Sequence, residues 1–187
     1  HNVTAPTTYT AGDIIVILIA SGSSQAQTLN ESGRTTVFND YDNGTSDNYM
    51  HVAYRTAGSE PSPYGVTQAA SRGLVATCVV LRNAGYRTLN SAESSSSASR
   101  SVSISTFNPA TDGIIYYSAL TSTTDRTATP PTGYTEIAEL YTNVSNSEVN
   151  LQIAYRVPNS SQSTSSIANT WSASSGNQSV LFDFVNV

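Results

Sequence analysis

The sequence predicts an all-β protein, an antiparallel β-sandwich of jelly-roll type built from two sequence-related halves, and three observations carry that prediction. Apolar residues either alternate with polar ones or gather in short β-branched runs, and no window shows sustained apolar spacing of three and four residues. Ser and Thr together number 54 of 187 residues against 21 charged side chains, a composition suited to turns and outward strand positions. An ordered set of motifs occurs twice, once in each half.

In chain order, residues 3–10 form a lead-in segment that reaches Asp13, and residues 14–20 (Ile-Ile-Val-Ile-Leu-Ile-Ala) read as a strand buried on both faces. Ser-Gly-Arg-Thr-Thr-Val at 32–37 opens a further strand. Residues 49–54 (Tyr-Met-His-Val-Ala-Tyr) alternate with the period of a half-buried strand. A short polar strand follows, and residues 74–81 close the first half as a central apolar strand. The second half repeats the order. Residues 101–107 alternate and lead to Asp112-Gly-Ile-Ile, Thr132-Gly133-Tyr134-Thr135 matches Ser32-Gly33-Arg34-Thr35, Ala154-Tyr155-Arg156 matches Ala53-Tyr54-Arg55, and residues 180–185 close. Between the halves, residues 89–99 (Leu-Asn-Ser-Ala-Glu-Ser-Ser-Ser-Ser-Ala-Ser) read as a linker. The division expected is 1–88, a linker at 89–99, and 100–187, with the halves intermixed in one sandwich of roughly ten to twelve strands. Two tandem small sandwiches are the alternative.

Composition narrows the function classes. A net charge of −5, with eight Arg and no Lys, argues against nucleic acid and against an anionic membrane surface. The longest apolar run has seven residues, too short for a helix that spans a bilayer in roughly 20. One Cys excludes an intramolecular disulfide, and Cys78 within a β-branched run reads as a small buried side chain. The first residues carry neither a charged region nor the apolar stretch of a signal peptide.

Several residues carry enough chemistry to be weighed. Trp171, Tyr116, Tyr117 and Tyr134 are the candidate ligand-binding rings, with Trp171 the best candidate for an exposed platform although it reads more readily as a core or rim residue, while Tyr116 and Tyr117 point to opposite faces of one strand so that at most one meets the core. Asp40, Asp42, Asn43 and Asp47 crowd a loop that could bind Ca²⁺, although the spacing departs from an EF-hand and a hairpin turn at Asp42-Asn43-Gly44 is the better reading. His1 and His51 formally supply the amine and imidazoles of a copper site, yet His51 reads as an outward strand residue whose counterpart is Gln152. Asp13 and Asp112 recur before matched strands and read as turn residues. A Gly-x-Ser-x-Gly turn and a phosphate loop are both absent from the sequence.

Ala-Gly-Asp-Ile-Ile-Val at 11–16, Ala-Tyr-Arg-Thr-Ala-Gly-Ser-Glu-Pro at 53–61, Val-Val-Leu-Arg-Asn-Ala-Gly at 79–85 and Pro-Thr-Gly-Tyr-Thr at 131–135 resemble a duplicated β-sandwich module of phage and prophage virion proteins. Those modules open on Gly-Asp and carry a Pro-x-Gly-Trp-Thr segment. Here Tyr134 stands where Trp is usual, and Gly33-Arg34 lacks the Pro. The resemblance implies a structural or attachment role, as head decoration or tail fibre, and brings no catalytic residues. The expectation is therefore a non-enzymatic virion or extracellular module without a cofactor. Its expected partners are capsid or tail proteins or identical subunits. A carbohydrate-binding module is the alternative, with surface glycans as ligand, and a secreted copper enzyme using His1 comes third.

Overall fold

The computed structural model describes the chain apart from residues 23–25, 42–47, 62, 70–71, 106–107, 143, 145–147, 161–164 and 187, with backbone alone at 41, 93–96 and 186. Among the described residues there is no helix, and the strands are antiparallel throughout. One large sheet has the order β4 (Thr35–Tyr41), β5 (Tyr49–Thr56), β2 (Ile14–Ser21), β7 (Leu74–Leu81). The other has the order β11 (Thr135–Tyr141), β12 (Val149–Arg156), β9 (Asp112–Thr121), β14 (Ser175–Asn186), β8 (Ala84–Ser97). Apart from β8, the two orders correspond strand for strand. The correspondence reaches single residues: β4 bulges between Thr36 and Phe38 and β11 between Glu136 and Ala138, both opposite the Ala-Tyr-Arg strand. Gly33 and Gly133 both hold positive φ, at 75° and 81°, in the turns that start these strands, where a side chain would be strained.

The two large sheets face one another across the main core. Val16, Leu18, Met50 and Val52 from one meet Ile115, Tyr117, Leu151, Ile153, Val180 and Phe182 from the other. Each sheet is then covered on its outer face. β1 (Asn2–Val3), β3 (Gln27–Leu29) and β6 (Tyr64–Gln68) lie over Ile15, Ile17 and Ile19. Residues Val102, Ile104 and Ile167, beside the small ladder of β10 (Ala128–Thr129) and β13 (Thr170–Trp171), lie over Ile114, Tyr116 and Leu181. A central strand covered on both faces has no polar side to show, which is why 14–20 is an unbroken apolar run.

Three expectations are corrected here. The serine-rich stretch at 89–99 is not a linker up to Ser97: it belongs to β8, which pairs along β14 from Ala84–Asn186 to Ser97–Ser175. Hydroxyl side chains read as loop when counted by composition, yet strand backbone pairs whatever side chains it bears once a neighbour offers donors and acceptors. Residues 101–107 form no strand over their described part. Val102 makes one bridge to Ile167, and Val102 and Ile104 are buried as covering residues. Residues 74–81, read as a central strand, lie at the edge of their sheet.

Candidate functional site

The rings singled out in the sequence do not form an exposed platform. Trp171 is 2% exposed, and Tyr116 and Tyr117 are both buried. The two tyrosines do point to opposite faces of β9, but each face meets a core, Tyr117 the one between the sheets and Tyr116 the outer one. The polar atoms of Tyr116 and Trp171 are hydrogen-bonded within the interior, whereas the Tyr117 hydroxyl is buried without a hydrogen-bond partner. The Tyr116 hydroxyl lies 2.9 Å from Asn169 Oδ1, 2.8 Å from Ser179 Oγ and 3.1 Å from the Asn169 N–H, which donates to it. The Trp171 indole N–H donates to Ser118 Oγ at 3.2 Å. Asn169 Nδ2 donates to Gln152 Oε1 at 3.0 Å, extending the network to the next strand. Burial pushes both tyrosine hydroxyls above their ordinary value. Tyr134 is half-buried and meets Tyr116 edge-on at 6.4 Å between centroids. The sequence hides this because the covering layer comes from segments too short to show a period.

His51 is likewise buried rather than outward. It points to the outer face of its sheet, where β3 covers it. Its Nδ1–H donates to the Gln27 carbonyl at 3.1 Å, so Nε2 accepts from the Thr36 hydroxyl at 3.2 Å. Burial lowers its pKa to about 4, partly opposed by the Gln27 bond and assisted by Arg34. Gln152 makes the matching bonds in the other half, to the Ala128 carbonyl at 2.9 Å and Glu136 Oε2 at 2.7 Å. His51 thus ties two strands together, with both ring nitrogens occupied. The His1 amine donates to the Val66 carbonyl at 2.9 Å.

Of the calcium candidates, Asp40 lies exposed on β4, while Asp42, Asn43 and Asp47 fall outside the described residues. Among the described residues no group of three or more His, Cys, Asp or Glu is placed to hold a metal. Asp13 and Asp112 act in turns: Asp13 accepts from the Thr10 N–H at 2.8 Å and Asp112 from the Asn108 N–H at 2.5 Å. Asp112 has a further partner, since Arg87 on β8 bridges it to Asp183 on β14, with Nε to Asp183 Oδ2 at 2.8 Å. Burial raises the Asp183 carboxyl, against the pull of Arg87. Burial also pushes the Cys78 thiol up to about 12, so it stays protonated at neutral pH.

What the surface presents instead is the edge of β7 and the groove beside it. Among the described residues β7 pairs with β2 alone, so the backbone groups along its other side meet no strand. A groove of about 270 Å³ runs next to it, lined by Val79, Val80, Leu81, Ile115, Ile137, Tyr155 and Phe184, with Arg82 at its rim. Ile137, Tyr155 and Val157 add exposed apolar surface alongside. Unpaired strand backbone next to an apolar trough can take up an extended chain, the backbone giving affinity and the trough selecting side chains. The sequence points to unpaired strand edges and to the terminal segments 3–10 and 180–187 as docking elements, and of these the edge is the one the described residues offer. Val3 is buried and pairs in β1, and residues 180–185 lie between β9 and β8. The signal that could have found Tyr155 was the repeat itself, which pairs it with a Tyr54 that is half-buried against other rings. Comparison with protein-family models, with curated proteins and with solved structures finds no match for the chain.

Proposed function

We propose that the chain is a non-enzymatic structural or attachment module that joins other protein chains through a sheet edge, and that its setting is a phage particle. The observation that carries the assembly role is the edge of β7. Strands that border a sheet usually bear a charge, a Pro, a Gly or a bulge that discourages pairing with other chains. β4 has Asp40 and a bulge, β11 has Glu136, Glu139 and a bulge, and β8 has Gly85, Arg87 and two register shifts. β7, Leu-Val-Ala-Thr-Cys-Val-Val-Leu, has none of these, and its register with β2 is unbroken over eight residues. An edge left open in that way suits a strand that is meant to be paired. The phage setting rests on the resemblance of the Gly-Asp, Ala-Tyr-Arg and Pro-Thr-Gly-Tyr-Thr motifs to virion modules.

Mass spectrometry of particles purified after prophage induction of the source organism tests the setting. The chain is expected at a level comparable to capsid or tail subunits, and its absence from particles would overturn the virion reading. The glycan-binding alternative now has Tyr155 as its exposed ring, because Trp171 and Tyr116 are interior. Specific glycan binding that vanished in Tyr155→Ala would replace the assembly role with that alternative.

A further inference from the structure

The two halves match so closely that a place left open in one, among the described residues, can be read from the filled place in the other. Ile115 pairs with Tyr155 and Phe182, and Val16 pairs with Tyr54 and Val79. Val79 therefore corresponds to Phe182, Val80 to Asp183 and Leu81 to Phe184, while Tyr155 corresponds to Tyr54 and Ile137 to Val37. In the second half the outer edge of β14 is occupied by β8, which lays Tyr86 opposite Phe184. The Tyr86 ring sits between Tyr54, at 4.9 Å, and Phe182, at 5.0 Å. The equivalents of these two neighbours are Tyr155 and Val79, and both line the groove beside β7. The groove is thus the counterpart of the seat that Tyr86 fills.

The charge beside the seat follows the same logic. Arg87, next to Tyr86, neutralises the buried Asp112 at the start of β9. Asp13 is the counterpart of Asp112 at the start of β2, and its side chain is 8% exposed. Its ion-pair contact is with Arg82 at 3.9 Å, and that arginine is 65% exposed. A carboxylate so covered, with so loose a partner, leaves a place for a second guanidinium.

We infer that the edge of β7 receives an extended segment of another protein chain, antiparallel to β7, in which an aromatic residue directly followed by Arg fills the groove against Tyr155 and Val79 and reaches Asp13. The inference deepens the assembly reading and rests on it for the segment's coming from another chain. β8 itself supplies the probe. A fluorescently labelled peptide of residues 84–92, Ala-Gly-Tyr-Arg-Thr-Leu-Asn-Ser-Ala, is titrated into the full 187-residue protein, and anisotropy is read. Saturable binding is expected, weakened at least about tenfold by replacing the peptide's Tyr with Ala or its Arg with Glu, and similarly by Tyr155→Ala in the protein. Tyr155 is exposed, so its loss leaves the fold intact, which circular dichroism checks, while the peptide variants do not touch the fold at all. Three results would overturn the inference: no saturable binding, binding indifferent to Tyr155→Ala, which would mean exchange with β8 on β14, or a dimer of the protein through β7 that ignores the peptide. A chain absent from particles that still captured the peptide would overturn the virion setting alone. One present in particles that ignored the peptide would overturn this site alone.

Discussion

At the scale of the residue, His51 and Gly113 show how one position is set by what covers it. The folded-state pKa of His51, about 4, lies below the ordinary 6.5, so folding favours the neutral ring. That contribution is complete above about pH 6.5 and is lost as the pH falls towards 4, where protonation would put a charge under β3. Wild type should lose about 2 kcal/mol of stability to this group between pH 7 and 4.5, and His51→Gln, which installs the side chain used at Gln152, should remove that loss. Urea midpoints of both proteins at the two pH values measure it, and equal pH dependence would refute the role given to His51. Gly113 faces a different constraint, because a Cβ there would overlap the ring of Phe184. The matching pair in the first half is Ile14 and Leu81, so bulk lost at one partner is regained at the other. Gly113→Ala should cost about 1–3 kcal/mol in thermal or urea unfolding by forcing that ring to move, and a neutral outcome would mean the ring shifts freely. The sequence made the turn roles of Asp13 and Asp112 legible because a carboxylate before a strand accepts from nearby N–H groups wherever it occurs. The burial of Tyr116 together with Tyr117, and that of His51, was not legible, since it depends on covering segments distant in the chain, whereas a core or rim place for Trp171 was.

At the scale of the element, β8 carries the difference between the halves. It leaves β7 through a tight turn in which Asn83 has φ 50°, then crosses to pair with β14 in the opposite sheet. Arg87 anchors it, holding two carboxylates that are almost wholly buried. Arg87→Met would leave Asp112 and Asp183 together without their cation and should cost about 3 kcal/mol, measured by denaturant unfolding at pH 7. Burial already raises the Asp183 carboxyl and Arg87 opposes that rise, so without Arg87 it would favour protonation and part of the loss should return as the pH falls towards 4.5. A variant as stable as wild type at pH 7 would show that the pair is neutralised in another way. Hydrogen exchange gives a second test: the amides of Leu89–Ala92 that bond into the ladder should be protected like those of β14, whereas a linker would exchange at once. Most strands were legible because β-branched runs and alternation mark burial on two faces or one. The strandness of β8 was not, because Ser and Thr satisfy neither pattern and the pairing partner lies about 90 residues away. The open edge of β7 escaped for a related reason: an apolar run looks central until the missing neighbour is seen.

At the scale of the whole molecule, the question is whether the halves are one folding unit or two. Each has its own large sheet and cover, as tandem small sandwiches would. Yet the apolar inner faces meet in a common core, where Val16, Leu18 and Val52 pack with Ile115, Leu151 and Phe182, and β8 passes from the first sheet to the second. Separating the halves would expose both inner faces to water at roughly 25 cal/mol per Å², more than a half of fewer than 100 residues has to spare. The protein should therefore unfold in a single transition. Trp171, the only tryptophan, reports on the second half alone, while far-UV circular dichroism averages over strands of both. Coincident urea curves from the two probes are expected. Curves whose midpoints separate would show that the second half unfolds apart from the first, and would favour the tandem arrangement. Leu18→Ala, in the first sheet but facing the shared core, sharpens the comparison: a cavity there should lower the Trp171 midpoint as well, by an amount equivalent to about 2–5 kcal/mol. A Trp171 curve unmoved by that substitution would mean the second half does not depend on the first.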